Sequence, residues 1–199
     1  MLMRRLILCI WLVVPVAAWT YHEGPGQDKM ALDDAAAALR EAQQWVAAED
    51  WATAIERFED ALKLLPKTHL KEARRIRLER DKAQMLSSKL PQAHADLLQL
   101  VDELATDPGS DKKVLDEARE TLANAQYYLT WLMRLEGQPR EKWEPQIEAA
   151  RQSYRLLAEK AEKNGDKTAA KRSTEDLESA IRLARMDLKD LQGLPLPSQ

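Results

Sequence analysis

Proline and glycine break this chain at only a few places, and between the breaks the residues repeat with a helical rhythm. The breaks fall at Pro66, Pro91, Pro108-Gly109, Gly137 and Pro139, Gly165, and Gly193 to Pro197. Such punctuation predicts helices joined by short connections. The segments between are rich in Ala, Leu, Glu, Lys, Arg and Gln, and the 199 residues include only six Gly and one Phe. Those residue types are strong helix formers. A β-sandwich or a dinucleotide-binding α/β domain needs Val/Ile-rich strands and glycine-bearing turns, so both are excluded. The spacing predicts an all-α protein with seven helices, over residues 28–48, 51–65, 70–88, 91–105, 111–136, 141–163 and 166–191. Short loops make successive helices antiparallel neighbours.

Local signals place several ends. Asp50 is positioned to cap the second helix through its carboxylate. Pro91 suits a first turn, where its missing N–H costs nothing. Asn164-Gly165 supplies a left-handed stop. Pro145 lies early in the sixth segment and predicts a start nearer Trp143. Two helices carry a clear apolar stripe. In the second it is Ala54, Phe58, Ala61 and Leu65; in the seventh, Leu177, Ile181, Ala184, Leu188 and Leu191.

The N-terminus has a different character. Arg4-Arg5 precede an unbroken apolar run from Leu6 to Trp19. A basic lead before a short apolar run describes an export signal, with Val16 and Ala18 small enough for cleavage after Ala18. Fourteen helical residues span about 21 Å, short of a bilayer core of about 30 Å. Retention as a membrane anchor is the alternative, with Trp19 and Tyr21 at the interface. Residues 1–18 are thus read as signal peptide or anchor, 19–27 as a tether, 28–191 as the helical body and 192–199 as an extended tail. Cys9 is the only cysteine and lies inside the apolar run, so the body holds no thiol for a disulfide, a nucleophile or a metal. Removing residues 1–18 takes two arginines and moves the formal charge from −3 to −5. A mildly acidic chain is a poor general nucleic-acid binder.

Residues 35–68 hold the most specific pattern. Ala42 is followed by Trp45, Trp51, Ala54, Phe58, Ala61 and Pro66. The alanines let two helices approach closely, and the aromatics are expected to fill the space between them. This order and spacing resembles a tetratricopeptide repeat, a 34-residue helix–turn–helix unit. Ala38 and Glu41 stand where that family favours Trp and Leu. Fainter copies follow at Ala93, Leu97 and Leu100, and at Ala150, Tyr154 and Leu157. The resemblance implies a right-handed solenoid of helix pairs over 28–163, closed by the seventh helix as a cap.

The resemblance also implies peptide binding by the first helix of each pair. The matching positions are Ala36, Leu39, Gln43 and Val46 in the clear repeat, and Arg75, Leu78, Lys82 and Met85 in the next. The family's carboxylate-clamping subtype is disfavoured, because the clear repeat offers neither Asn nor Lys at those positions. Charge bears on the partner. Residues 67–89 hold eight Lys/Arg against three Asp/Glu, while residues 28–60 hold three against nine and residues 94–120 three against eight. Two accounts stay open: a basic strip for an acidic partner segment, or mutual neutralisation between neighbouring helices. The cluster Tyr127, Tyr128 and Trp131 is likewise either a second packing face or a groove lining.

Site chemistry is sparse. His22, His69 and His94 have no partner at a metal-ligand spacing, and no metal, phosphate-loop or nucleophile motif occurs. Asp33-Asp34 and Glu49-Asp50 read as helix-start carboxylates. No catalytic residue, metal or cofactor is expected. The expected function is an exported, non-catalytic adaptor in the cell envelope that binds a protein or peptide through Leu39, Gln43, Val46, Arg75, Lys82, Tyr127 and Trp131. A membrane-anchored, self-assembling helical subunit is the alternative, with the 177–191 stripe as its contact. Oligomeric state stays open.

Overall fold

The computed structural model describes residues 27–187 and 190–191. All seven expected helices are present, and no strand occurs among the described residues: α1 (Gln27–Ala47), α2 (Trp51–Leu64), α3 (Leu70–Met85), α4 (Leu90–Thr106), α5 (Lys112–Leu135), α6 (Arg140–Lys163) and α7 (Lys167–Arg185). The segments read as signal or anchor and as extended tail lie outside the described residues. No helix among those described is long and apolar enough to cross a membrane. The helices form two compact units, divided between Ile76 and Arg77 within α3.

The caps explain most of the boundaries. Asp50 accepts from the Thr53 amide at 3.1 Å and the Thr53 hydroxyl at 2.8 Å. These bonds, the backbone one first, hold its carboxyl below the usual range. Asp111 and Asp166 cap α5 and α7 in the same way, accepting from the Lys113 and Ala169 amides. Pro91 sits in the first turn of α4. Gly137 and Gly165 take φ of 68° and 75° just past α5 and α6. The following amides, of Gln138 and Asp166, reach back five residues to the carbonyls of Met133 and Ala161. The end of α1 closes identically, with the Asp50 amide on the Trp45 carbonyl, but there the left-handed residue is Glu49 at φ 58°.

Three boundaries differ from expectation. Helix α3 ends at Met85, three residues early. Helix α6 starts at Arg140, so Pro145 lies inside it; its position near the N-terminus limits the loss to one backbone bond. Helix α7 stops at Arg185, six residues short of the expected end, because Met186 turns extended. Leu191 nonetheless returns to the core, at 1% exposure.

The first unit packs α1 against α2. Its core is Ala35, Ala42, Ala54, Ile55, Phe58, Ala61 and Ile76, all buried. The alanines behave as expected, and Phe58 is 1% exposed. The tryptophans do not: Trp45 is 41% exposed and Trp51 only half-buried. Small residues already bring the helices together, and Phe58 with Ile55 fills the space the tryptophans were expected to occupy.

In the second unit α5 is the central element, packed against α4 on one side and α6 on the other, with α7 following on α6. One core gathers Leu97, Leu100, Leu104, Ala118 and Leu122; the other gathers Ala123, Tyr127, Ile147, Tyr154, Ala180 and Leu183. Residues 121–127 are consequently all buried, on every face of α5. The Ala93/Leu97/Leu100 and Ala150/Tyr154/Leu157 triplets are buried as well. Cross-helix bonds give the directions. Asn124 meets Tyr154 while Asp116 meets Lys160, so α5 and α6 run antiparallel. Glu120 meets Arg172 while Arg134 meets Leu183, so α5 and α7 run parallel.

Helix α7 buries a face shifted to one side of its apolar stripe, with Leu177 and Ala184 packed at the edge of the second core. Leu177, Ile181 and Ala184 are half-buried, whereas Ala170, Ser173, Asp176, Ser179, Ala180 and Leu183 are buried. Small side chains permit close approach, and the serine hydroxyl of Ser179 is satisfied by the Glu175 carbonyl within the helix. Arg134 fastens the end of α7. Its guanidinium donates to the carbonyls of Leu183 and Met186 and lies 4.8 Å from the Trp143 ring centroid. These are charge-assisted bonds to orphan carbonyls. Arg134→Met is expected to cost about 1.5–3 kcal/mol in urea unfolding, with hydrogen exchange fastest at the end of α7; an unchanged midpoint would show the clamp to be dispensable.

Candidate interaction surface

The expected partner-binding residues separate into three groups. Leu39 and Val46 are half-buried and Gln43 and Ala36 exposed, and together they form one flank of α1. Helical spacing brings them onto a common face beside the buried Ala35–Ala42 ridge. All four positions belong to the first unit.

The second group lies on α3, where the boundary between the two units falls between its members. Arg75 is exposed in the first unit, while Lys82 belongs to the second. Lys82 bonds Glu79 at 3.0 Å and Glu117 at 2.5 Å, and these partners hold its ammonium above the usual lysine range against the opposing effect of burial. Leu78 is buried in the core and Met85 packs against it. The basic stretch of α3 is similarly engaged: Arg77 bonds Glu103 at 2.6 Å, and Arg80 bonds Asp96 at 2.8 Å. Within the second unit, mutual neutralisation is therefore what the α3 cations do, because the acidic residues of α4 and α5 lie beside them.

The third group is core. Tyr127 is fully buried, edge-on to Tyr128 with ring centroids 5.9 Å apart, and Trp131 is half-buried against the same cluster. Burial pushes the Tyr127 hydroxyl up to about 12. Of the two accounts of these aromatics, packing describes Tyr127, which has no surface to offer a ligand.

The second unit also buries polar groups that apolar periodicity does not mark. Tyr154 donates to Asn124 at 2.7 Å, and burial pushes its hydroxyl far up. Glu120 is raised by burial and steadied by Arg172 at 3.2 Å. Asp81 is 0% exposed; Arg80 donates to its Oδ1 at 3.0 and 2.7 Å, while its Oδ2 has no partner. Burial pushes Asp81 up to about 6, with Arg80 opposing. His94 is half-buried on α4, and burial lowers its imidazole. These groups are enclosed by helices and tie them together. No group of three or more His, Cys, Asp or Glu that could hold a metal occurs among the described residues.

One surface feature was not foreseen. A shallow groove of about 380 Å³ runs between α1 and α2 on the flank opposite Leu39 and Gln43. Its floor includes Ala37, Ala38 and Leu64, and Asp34, Glu41, Arg57, Asp60 and Lys63 bring the charge. Trp45 stands one turn beyond Glu41 on the same face of α1. The signal in the sequence was the 34, 38, 41, 45 spacing, hidden because Trp45 also fits a repeat pattern that assigns it to packing. No protein-family model matches the chain, and a search of curated proteins found no match.

Proposed function

We propose that this chain is an exported, non-catalytic helical adaptor, built from tetratricopeptide-like pairs, that binds a protein or peptide in the cell envelope through the α1–α2 hairpin. The observation that carries the reading is the division of labour in that hairpin. Alanines, Ile55 and Phe58 complete its core, so Leu39, Gln43, Val46 and Trp45 are left at or near the surface. A preformed helix face of this kind binds with little ordering of its own. Export rests on Arg4-Arg5 and the apolar run from Leu6 to Trp19. The acidic-partner account loses support at Lys82, whose ammonium is ion-paired with Glu79 and Glu117.

A second reading, self-assembly, is favoured only at the outer edge of the α7 stripe, at half-buried Ile181, since Leu177 and Ala184 pack against the second core. Crosslinking in native envelopes followed by purification of the chain separates the two. The adaptor reading expects a heteromeric adduct, with the purified chain sedimenting as a monomer over a hundredfold concentration range. Self-adducts alone, or a concentration-dependent mass, would favour assembly. A fused reporter active only in the cytoplasm would overturn export.

A further inference from the structure

We propose that the groove between α1 and α2 docks a basic amphipathic helix, with Asp34 and Glu41 receiving its cations and Trp45 covering its apolar edge. The proposal rests on the protein-binding reading above and adds a site and a partner chemistry on the opposite flank of α1.

Unspent charge gives the sign of the partner. Arg57 and Lys63 both pair with Asp60, each at 3.2 Å. Glu41 has only a loose contact with Arg57 at 4.0 Å, and its side chain is 57% exposed. Asp34 is exposed and enters no ion pair among the described residues. The groove thus holds three carboxylates against two cations, and Asp34 is the one that no ion pair among the described residues engages. The surrounding field has the same sign, with nine Asp/Glu against three Lys/Arg over residues 28–60. An approaching cationic segment is attracted and an acidic one repelled.

Shape gives the form of the partner. Ala37 and Ala38 keep the floor low between two helices, so a third helix can lie close along them. Asp34 and Glu41 are seven residues apart, about 10.5 Å along the axis, which matches cations at positions i and i+7 of a partner helix. Exposed Leu64 adds apolar surface to the groove, and exposed Trp45, one turn beyond Glu41, offers a ring whose face also accepts a cation. A second copy of this chain does not supply that helix from α3, whose Arg77, Arg80 and Lys82 are already paired with Glu103, Asp96 and Glu117.

The test uses the full chain, isotopically labelled for amide shifts, and a synthetic 16-residue helical peptide with one leucine face and lysines at i and i+7. A mirror peptide with glutamates replacing the lysines is the control. Expected are shifts centred on 34–45 and 57–64, affinity that falls with salt, and little binding of the mirror peptide. Asp34→Lys with Glu41→Lys, checked for an unchanged melt, should weaken binding at least tenfold, and Trp45→Ala about fivefold. Equal affinity in the double variant, preference for the glutamate peptide, absence of shifts with either, or the same residues shifting on self-association would each overturn the proposal. If a native partner is captured through Gln43 but is indifferent to the double variant, the groove fails while the adaptor reading stands; if no partner is captured on either flank, that reading fails.

Discussion

Replacing Phe58 by alanine is expected to destabilise the first unit by about 3–5 kcal/mol. Phe58 is 1% exposed and faces a core otherwise made of alanines and two isoleucines. The first unit's other buried apolar residues are mostly alanines, which offer little side chain to fill the vacated space. The small unit therefore collapses poorly around the cavity and loses the transfer energy of the ring as well. Equilibrium urea unfolding followed by circular dichroism measures the loss, and a change below about 1 kcal/mol would mean that Phe58 does not anchor the hairpin. Trp45→Ala is the matched comparison. At 41% exposure it should cost far less, although the residue is larger.

Asp81→Asn is expected to act in the other direction. Asp81 is buried, and its carboxyl is pushed up to about 6 by burial, with Asp96 adding to the rise while Arg80 and Arg77 oppose it. A carboxyl whose folded value is raised binds its proton more tightly when folded. Its penalty is then full above about pH 6, shrinks as pH falls, and is gone below the ordinary value near 4. Asparagine removes the buried charge and keeps an oxygen for Arg80, which also retains Asp96. The variant should be more stable than the native chain by about 1–3 kcal/mol at pH 7.5, and the two should converge below about pH 4. Urea midpoints at both pH values decide it. A variant less stable at pH 7.5 would show that the ionised Asp81–Arg80 pair outweighs its desolvation.

These two residues mark how far the sequence could be read. Phe58 belongs to an apolar stripe with a proline stop behind it, and both signals are local, so its burial followed from spacing. The caps at Asp50 and Gly165 were legible for the same reason: turn chemistry is decided within five residues. Asp81 carries no such signal. Its burial comes from the arrangement of neighbouring helices, which a charged, weakly amphipathic helix does not announce. The face of α7 misled in a related way. Leu177, Ile181 and Ala184 form the better apolar stripe, but Ser173, Ser179 and Ala180 allow the closer approach, and packing followed size over hydropathy. Trp45 shows the same limit at the candidate site. A pattern borrowed from repeats assigned it to the core, and the alanines beside it left no room there.

The same contrast shapes the account of the expected partner surface. Leu39, Gln43 and Val46 sit on one helix, so helical periodicity alone places them together. Arg75, Lys82, Tyr127 and Trp131 depended on a regular stacking of pairs, and for Lys82 and Tyr127 the structure shows the neighbouring side chains. Glu79 and Glu117 hold Lys82, and the second core takes in Tyr127.

The most direct test of the α1–α2 hairpin as the docking element is site-specific photocrosslinking in the native cell. A photoreactive residue replaces Gln43 or Trp45 on α1, or, as a control, the exposed Arg155 on α6. The account predicts a discrete adduct with the same partner protein from one or both α1 positions, and none from Arg155. Adducts from Arg155 alone, or only between copies of this chain, would contradict it.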